Sequence, residues 1–340
     1  MKKAICFAII LSLFLSLISC YAPVENDLVL YKNSGIPLKI AHFSDLHFGT
    51  EGKSYHNADE ARTVAFMDYV VETQKPDLIV LGGDNIMSTG VEGAKKLVAL
   101  MDKYRTPYIF VFGNHDAELF GEGLSKSYVS SYLESCGSPY LLYKSGYTDS
   151  SSENRYGNYS VLLKDVASDR LLGAFLIIDT GVYDYSKGAY QEITDGQTDW
   201  YRGEIERLNV IFKKHGGNGV IPSLVYGHIQ LPQHFEAYKS AVNGNAEFVY
   251  HQDIKISDRM AASDGGNSGD FFTEMKDLGS SKGYICGHMH GLTFHVRTDG
   301  ITLGFCPQSG VPSKNASKRS TFVYTLNDSF ELIPTLITEQ

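Results

Sequence analysis

Along this chain, short continuous apolar runs alternate with longer stretches in which apolar residues recur every three or four positions. The runs Leu38–Phe43, Asp77–Leu81, Tyr108–Phe112, Ser223–Tyr226 and Tyr284–Cys286 predict buried strands, and four of the five lead directly into a glycine. Helical periodicity predicts helices over 58–74, 91–104, 125–135 and 197–215. Strands and helices that alternate in this way predict parallel units in an α/β fold. Later strands follow without intervening helices, at Asn158–Leu163, Leu171–Asp179, Phe294–Arg297, Ile301–Phe305 and Thr321–Leu326. No internal repeat is visible, and one domain over 37–340 accounts for the pattern, preceded by a polar tether at 20–36. Two Gly-, Ser- and Asp-rich stretches, 147–156 and 243–269, read as loops.

The polar residues just past the strands carry the chemistry. Asp45-Leu46-His47, Gly82-Gly83-Asp84-Asn85, Gly113-Asn114-His115-Asp116, Gly227-His228 and Gly287-His288-Met289-His290 each follow an apolar run. In open α/β sheets, ligands gather outside the carboxyl ends of strands. Asp45 and His47 are two apart, so an extended chain presents them on one side. Hydrolysis of a phosphate ester requires an activated water and neutralised phosphoryl oxygens, and two ions about 3.5–4 Å apart supply both. Hard oxygen and imidazole donors suit such a pair. The loop 243–269 is bracketed by His228 and His288, which predicts that it shapes substrate access.

This ordered set resembles the calcineurin-like metallophosphoesterase superfamily, over residues 38 to 305. The segments His42–Gly49, Gly83–Asn85, Gly113–Glu118, His228–Pro232 and Asn267–Gly269 are similar to a branch related to purple acid phosphatases. The resemblance implies two mixed β-sheets packed as a sandwich and flanked by helices. It implies that Asp45, His47 and His290 hold one metal, that Asn114, His228 and His288 hold the other, and that Asp84 bridges them. His115 would face the phosphate and protonate the leaving group or stabilise its charge, and Asp116 is a candidate for orienting its ring. The reaction implied is direct attack of metal-bound hydroxide on a phosphomonoester. A phosphodiesterase acting on cyclic nucleotides or lipid head groups is the alternative within enzymes, and a non-catalytic metal- or phosphate-binding surface lipoprotein is the alternative outside them. Mn, Fe and Zn all suit the donor set. The chain departs from the branch at Met87, which stands where a tyrosine ligand gives purple acid phosphatases their colour, and at Gln230 and Met289 near the expected substrate rim.

Composition narrows the partners. The net charge is −9, and more negative without Lys2 and Lys3, with no basic run. This argues against a nucleic-acid surface. A basic start, an apolar run to Ile18 and Ser19-Cys20 predict a signal peptide over 1–19. In a bacterial source Cys20 would carry a lipid and be the sole membrane contact; otherwise the protein would be secreted. Of five cysteines, Cys136, Cys286 and Cys306 lie in the domain and read as buried thiols, with a Cys286–Cys306 bridge conceivable. His42 and His295 read as residues packed beneath the site, and His56, His215 and His234 as solvated.

Overall fold

A computed structural model describes residues 27–49, 60–87, 89–116, 125–149, 155–252, 270–310 and 318–340. The expected signal segment, Cys20, His56 and most of the loop 243–269 lie outside the described residues. No described helix is long and apolar enough to cross a membrane.

In chain order the elements are β1 (Leu28–Lys32), β2 (Leu38–Phe43), α1 (Glu60–Gln74), β3 (Leu78–Gly82), α2 (Val91–Tyr104), β4 (Tyr108–Val111) and α3 (Lys126–Ser135). Then come β5 (Tyr159–Asp165), β6 (Leu171–Ile177), β7 (Tyr183–Asp184), β8 (Ala189–Tyr190), α4 (Asp195–Lys214), β9 (Ser223–Tyr226), α5 (Gln233–Val242) and β10 (Glu247–His251). The chain closes with α6 (Phe271–Leu278), β11 (Ser281–Cys286), β12 (Phe294–Thr298), β13 (Ile301–Phe305), β14 (Ser320–Leu326) and β15 (Leu332–Thr338).

The strands form an eight-stranded sheet in the order β1-β5-β6-β9-β11-β13-β12-β10 and a five-stranded sheet in the order β15-β14-β2-β3-β4. Both are mixed: β2, β3 and β4 run parallel, as do β6, β9, β11 and β13. Period-two alternation along the large sheet separates two cores. Val161, Phe175, Ile177, Leu224, Tyr226 and Ile285 share one core with Ile40, Phe43, Phe322 and Tyr324 of the small sheet. Their strand neighbours Leu162, Leu176, Val225 and Tyr284 point the other way, into a core with Tyr201, Ile205, Phe235, Phe271 and Met275. These last come from α4, α5 and α6, which cover the outer face of the large sheet. Met67, Val70, Leu97 and Met101 of α1 and α2 join the first core from the small sheet's side. Helix α4 starts at a capping box, with the Thr194 hydroxyl accepting from Gln197 N–H and the Gln197 side chain accepting from Thr194 N–H.

The predicted sandwich is present, with three corrections. The expected tether 20–36 contains β1, which pairs in parallel with β5 from Leu28↔Val161 to Lys32↔Asp165. Its short apolar face is enough to seal a sheet edge, and Leu30 is buried there. The loop expected from 243 contains β10, an antiparallel edge strand against β12. His234, expected in solvent, is fully buried on α5. Its ring meets Tyr284 and Phe305 edge-on, and its Nδ1–H donates to the Leu231 carbonyl at 3.2 Å. Cys286 and Cys306 are neighbours across β11 and the end of β13, and both are free thiols.

Burial pushes His234 and His295 down to about 3, so both are neutral in the fold. Unfolded, each would titrate near 6.5. The unfolded chain therefore binds more protons below that pH, and stability falls as pH drops from about 6.5 towards 3. At pH 4.5 the pair costs about 5 kcal/mol, a large fraction of a typical domain's 5–15 kcal/mol. Urea denaturation with a chelator present should show this loss. His234→Phe should reduce the pH slope by about 1.4 kcal/mol per unit over this range; an unchanged slope would remove His234 from this account.

Candidate metal centre

Five strand ends meet at one edge of the sandwich. Asp45 and His47 follow β2, Asp84 follows β3, and Asn114, His115 and Asp116 follow β4, all from the small sheet. His228 follows β9, and His288 and His290 follow β11, from the large one. Backbone hydrogen bonds stitch the loops together within each sheet: Asp45 N to Gly83 O at 3.0 Å, His47 N to Asp84 O at 2.9 Å and Gly287 N to His228 O at 3.0 Å. Across the sheets, His288 N donates to Asp45 Oδ2 at 3.2 Å.

The loops turn sharply to do this. Asp45, His47, Asp84 and His288 have φ between +49° and +67°. Each such non-glycine residue costs on the order of 1–2 kcal/mol, and four of the nine among the described residues fall in this one site. Glycine is needed where the loops touch. A Cβ on Gly287 would lie 1.8 Å from Ser44 Oγ and 2.7 Å from Asp45 Oδ2, and one on Gly113 would lie 2.2 Å from Asp84 Oδ1.

Two groups of donor atoms result, Asp45–His47–His290 and Asp84–His228–His288, with the atoms of each within 4.8 Å of one another. Asp45 Oδ2 is occupied by the Ser44 hydroxyl at 2.7 Å and by His288 N–H. Its Oδ1 is buried without a hydrogen-bond partner, 3.0 Å from His290 Nε2. His228 donates Nδ1–H to Gly82 O at 2.9 Å, which frees Nε2 as a lone-pair donor. That Nε2 is buried without a hydrogen-bond partner, 3.0 Å from Asp84 Oδ2. His47 Nε2 and His290 Nε2 stand 3.4 Å apart, where at most one proton fits between two lone pairs. Orphaned acceptors converging in a buried space are what a cation satisfies, so this donor set fits a pair of metal ions.

The charges agree. Burial pushes His47 down to about 4 and His288 down to about 3, leaving neutral imidazoles. Burial also opposes charge on His228, but the Asp84 carboxylate, Asp45 and the Gly82 carbonyl together outweigh it and lift His228 to about 9. His290 is raised against burial by Asp45. Burial works to raise Asp45 and Asp84, yet the imidazoles around them hold both below the usual carboxylate range. Protons on His228 and His290 thus balance two buried carboxylates, a role that bound cations would take over.

His115 sits beside these groups with its side chain 29% exposed and its Nε2 3.9 Å from Asp84 Oδ2. Its backbone N–H donates to Asp84 Oδ1 at 2.8 Å, and its ring packs on His47 at 5.1 Å. Asp116, expected to orient that ring, places Oδ1 on Ile86 N–H at 2.8 Å and Oδ2 on Gly113 N–H at 2.7 Å. It clamps the β3 and β4 loops together by their backbone. Burial, then Asp84, pushes the Asp116 carboxyl up to about 7. Gln230, expected near the rim, is buried, and neither atom of its amide has a hydrogen-bond partner. Two participants escaped the sequence reading. Ser44 directly precedes Asp45 and had a positional signal; Tyr190, edge-on to His288 at 4.6 Å, had none.

Two mixed sheets that bring paired Asp–His clusters to one edge define a metal-dependent phosphoesterase. Residues 38–292 match the calcineurin-like phosphoesterase family, and the chain belongs to it. The chain is 28% identical over 291 residues to a protein of Arabidopsis thaliana named probable inactive purple acid phosphatase 29, covering 78% of this chain and 70% of that one. It is 25% identical to probable inactive purple acid phosphatase 14 of the same plant, covering 80% and 70%. Among solved structures, a dimetal phosphatase from Danio rerio shares the fold, with a TM-score of 0.51 at 11% identity over 88% of this chain and 98% of that one.

Proposed function

We propose that this protein hydrolyses phosphomonoesters, with Asp45, His47 and His290 holding one ion, Asn114, His228 and His288 holding the other, and Asp84 bridging them. The observation that carries the reading is the pairing of two buried donor clusters with a partly exposed imidazole, His115, at their side. When bound, two ions neutralise phosphoryl charge and lower the pKa of water. The protein's own residues do the rest. His115 reaches solvent on one side and the clusters on the other, as a group that hands a proton to a leaving oxygen must. Asp116 holds the loop that carries it.

A single displacement without a covalent enzyme intermediate fits the side chains present. Burial pushes the Cys286 and Cys306 thiols up, away from the thiolate form. Ser44 is buried and commits its hydroxyl to Asp45 Oδ2 and Gly82 O.

The test is p-nitrophenyl phosphate against bis-p-nitrophenyl phosphate on the metal-reconstituted protein, with a chelator control. The monoester should be the faster substrate, and its hydrolysis should stop on chelation. Faster diester release would replace the reading with a phosphodiesterase acting on cyclic nucleotides or lipid head groups. The names of the Arabidopsis relatives favour a second reading, a fold that binds metal without turnover. Release of neither product by a fully metallated protein would select it. Against it stand the two donor clusters and the partly exposed His115 beside them.

A further inference from the structure

Beside His288 stands a small tyrosine-rich hairpin. In it β7 and β8 pair with Tyr183 opposite Tyr190 and Asp184 opposite Ala189. Strands this short do not hold themselves together, so contacts beyond the two strands support the hairpin. Asp184 closes the tip, its carbonyl accepting Lys187 N–H and Gly188 N–H and its Oδ1 accepting from Ser186. The buried Arg155 guanidinium donates to the carbonyls of Asp179 and Glu192, one at each foot. Gly181 gives it room, since a Cβ there would lie 2.4 Å from Arg155 Nη1.

The rings form a row that starts at the metal centre and ends in water. Tyr190 meets His288 edge-on at 4.6 Å, Tyr183 meets Tyr190 at 5.1 Å, and Tyr185 meets Tyr183 at 5.0 Å. Tyr185 is 79% exposed. Core packing accounts for none of that exposure, because an aromatic ring left in water forgoes its burial energy. Edge-to-face contacts use one face of one ring and the edge of the next, so the outer end of the row keeps a face open to solvent.

We propose that this row is the leaving-group wall of the site, selecting phosphomonoesters whose alcohol carries a planar ring, with nucleoside 5′-monophosphates as the representative chemistry. The inference rests on the phosphomonoesterase reading. With the phosphate at the clusters, a leaving group directed past His288 runs along Tyr190 and Tyr183 to Tyr185. Stacking on tyrosine accepts any planar ring without reading hydrogen bonds.

Adenosine 5′-monophosphate and ribose 5-phosphate separate the two readings, because they share the ester oxygen and sugar and differ in the ring. The metal-reconstituted full chain should favour the nucleotide in kcat/KM by about tenfold, mostly through KM. The double variant Tyr183→Leu, Tyr185→Ala should bring that ratio towards one at unchanged metal content. Tyr185→Ala alone, at an exposed position, should move it some of the way. A ratio near one in the parent protein overturns the inference, as does a variant that loses both substrates equally. Hydrolysis of p-nitrophenyl phosphate with neither sugar ester cleaved also overturns it and leaves the phosphomonoesterase reading standing. No release from any of the three overturns both.

Discussion

Asp84→Asn is expected to lose metal and activity together, with kcat/KM on p-nitrophenyl phosphate falling on the order of a thousandfold or more. The side chain is buried at the centre of the site, with Oδ1 on His115 N–H at 2.8 Å and Oδ2 3.0 Å from His228 Nε2. The amide keeps the shape and removes the charge, and charge is what a pair of cations requires of a shared ligand. The metal-free protein should lose stability as well. Burial works against the Asp84 charge, yet His228 and the imidazoles beside it outweigh burial and hold the carboxyl below the usual range, so the charge stabilises the metal-free fold. The metal-free variant should melt lower than the metal-free parent, while added metal stabilises the parent alone. Elemental analysis, thermal melts with and without metal, and steady-state rates decide the matter. A variant with full metal content and normal turnover would remove Asp84 from the centre.

His115→Ala should keep the metal and lose about 10²- to 10⁴-fold in rate. The contact His115 makes with Asp84 Oδ1 is through its backbone, so alanine preserves it. The ring, 29% exposed as a side chain, is what faces outward. A proton donor matters most when the leaving group is a poor one. The loss should therefore be larger for an alkyl phosphate than for p-nitrophenyl phosphate, whose leaving group departs readily without help. A merely structural role would lower both rates alike, and that outcome would reassign His115.

The metal-centre residues were legible because their signals are local. Each donor stands within a few residues of the end of an apolar run, and all but Asp45 and His47 stand beside a glycine, of which Gly113 and Gly287 prove sterically necessary. Period and punctuation suffice to read such positions. His234 was misplaced for the opposite reason. Nothing within a turn of it in sequence says that Tyr284 and Phe305 will close over its ring. Helix α5 and strands β10 and β15 also went unread, since each takes its stability from a distant partner.

By itself, then, the chain's sequence determined the strand ends and the donor types, because strand periodicity and glycine turns are written in adjacent residues, and its ordered motifs carried the resemblance that implied the reaction class. The resemblance already grouped Asp45 and His47 with His290, and His228 with His288; the tertiary structure brings each group within 4.8 Å, although β2 and β3 belong to one sheet and β9 and β11 to the other. It also decided that Asp116 clamps two loops by their backbone, and that a tyrosine row stands against His288. Those relations join residues far apart along the chain, and only the packing of two sheets through a common core brings them within reach.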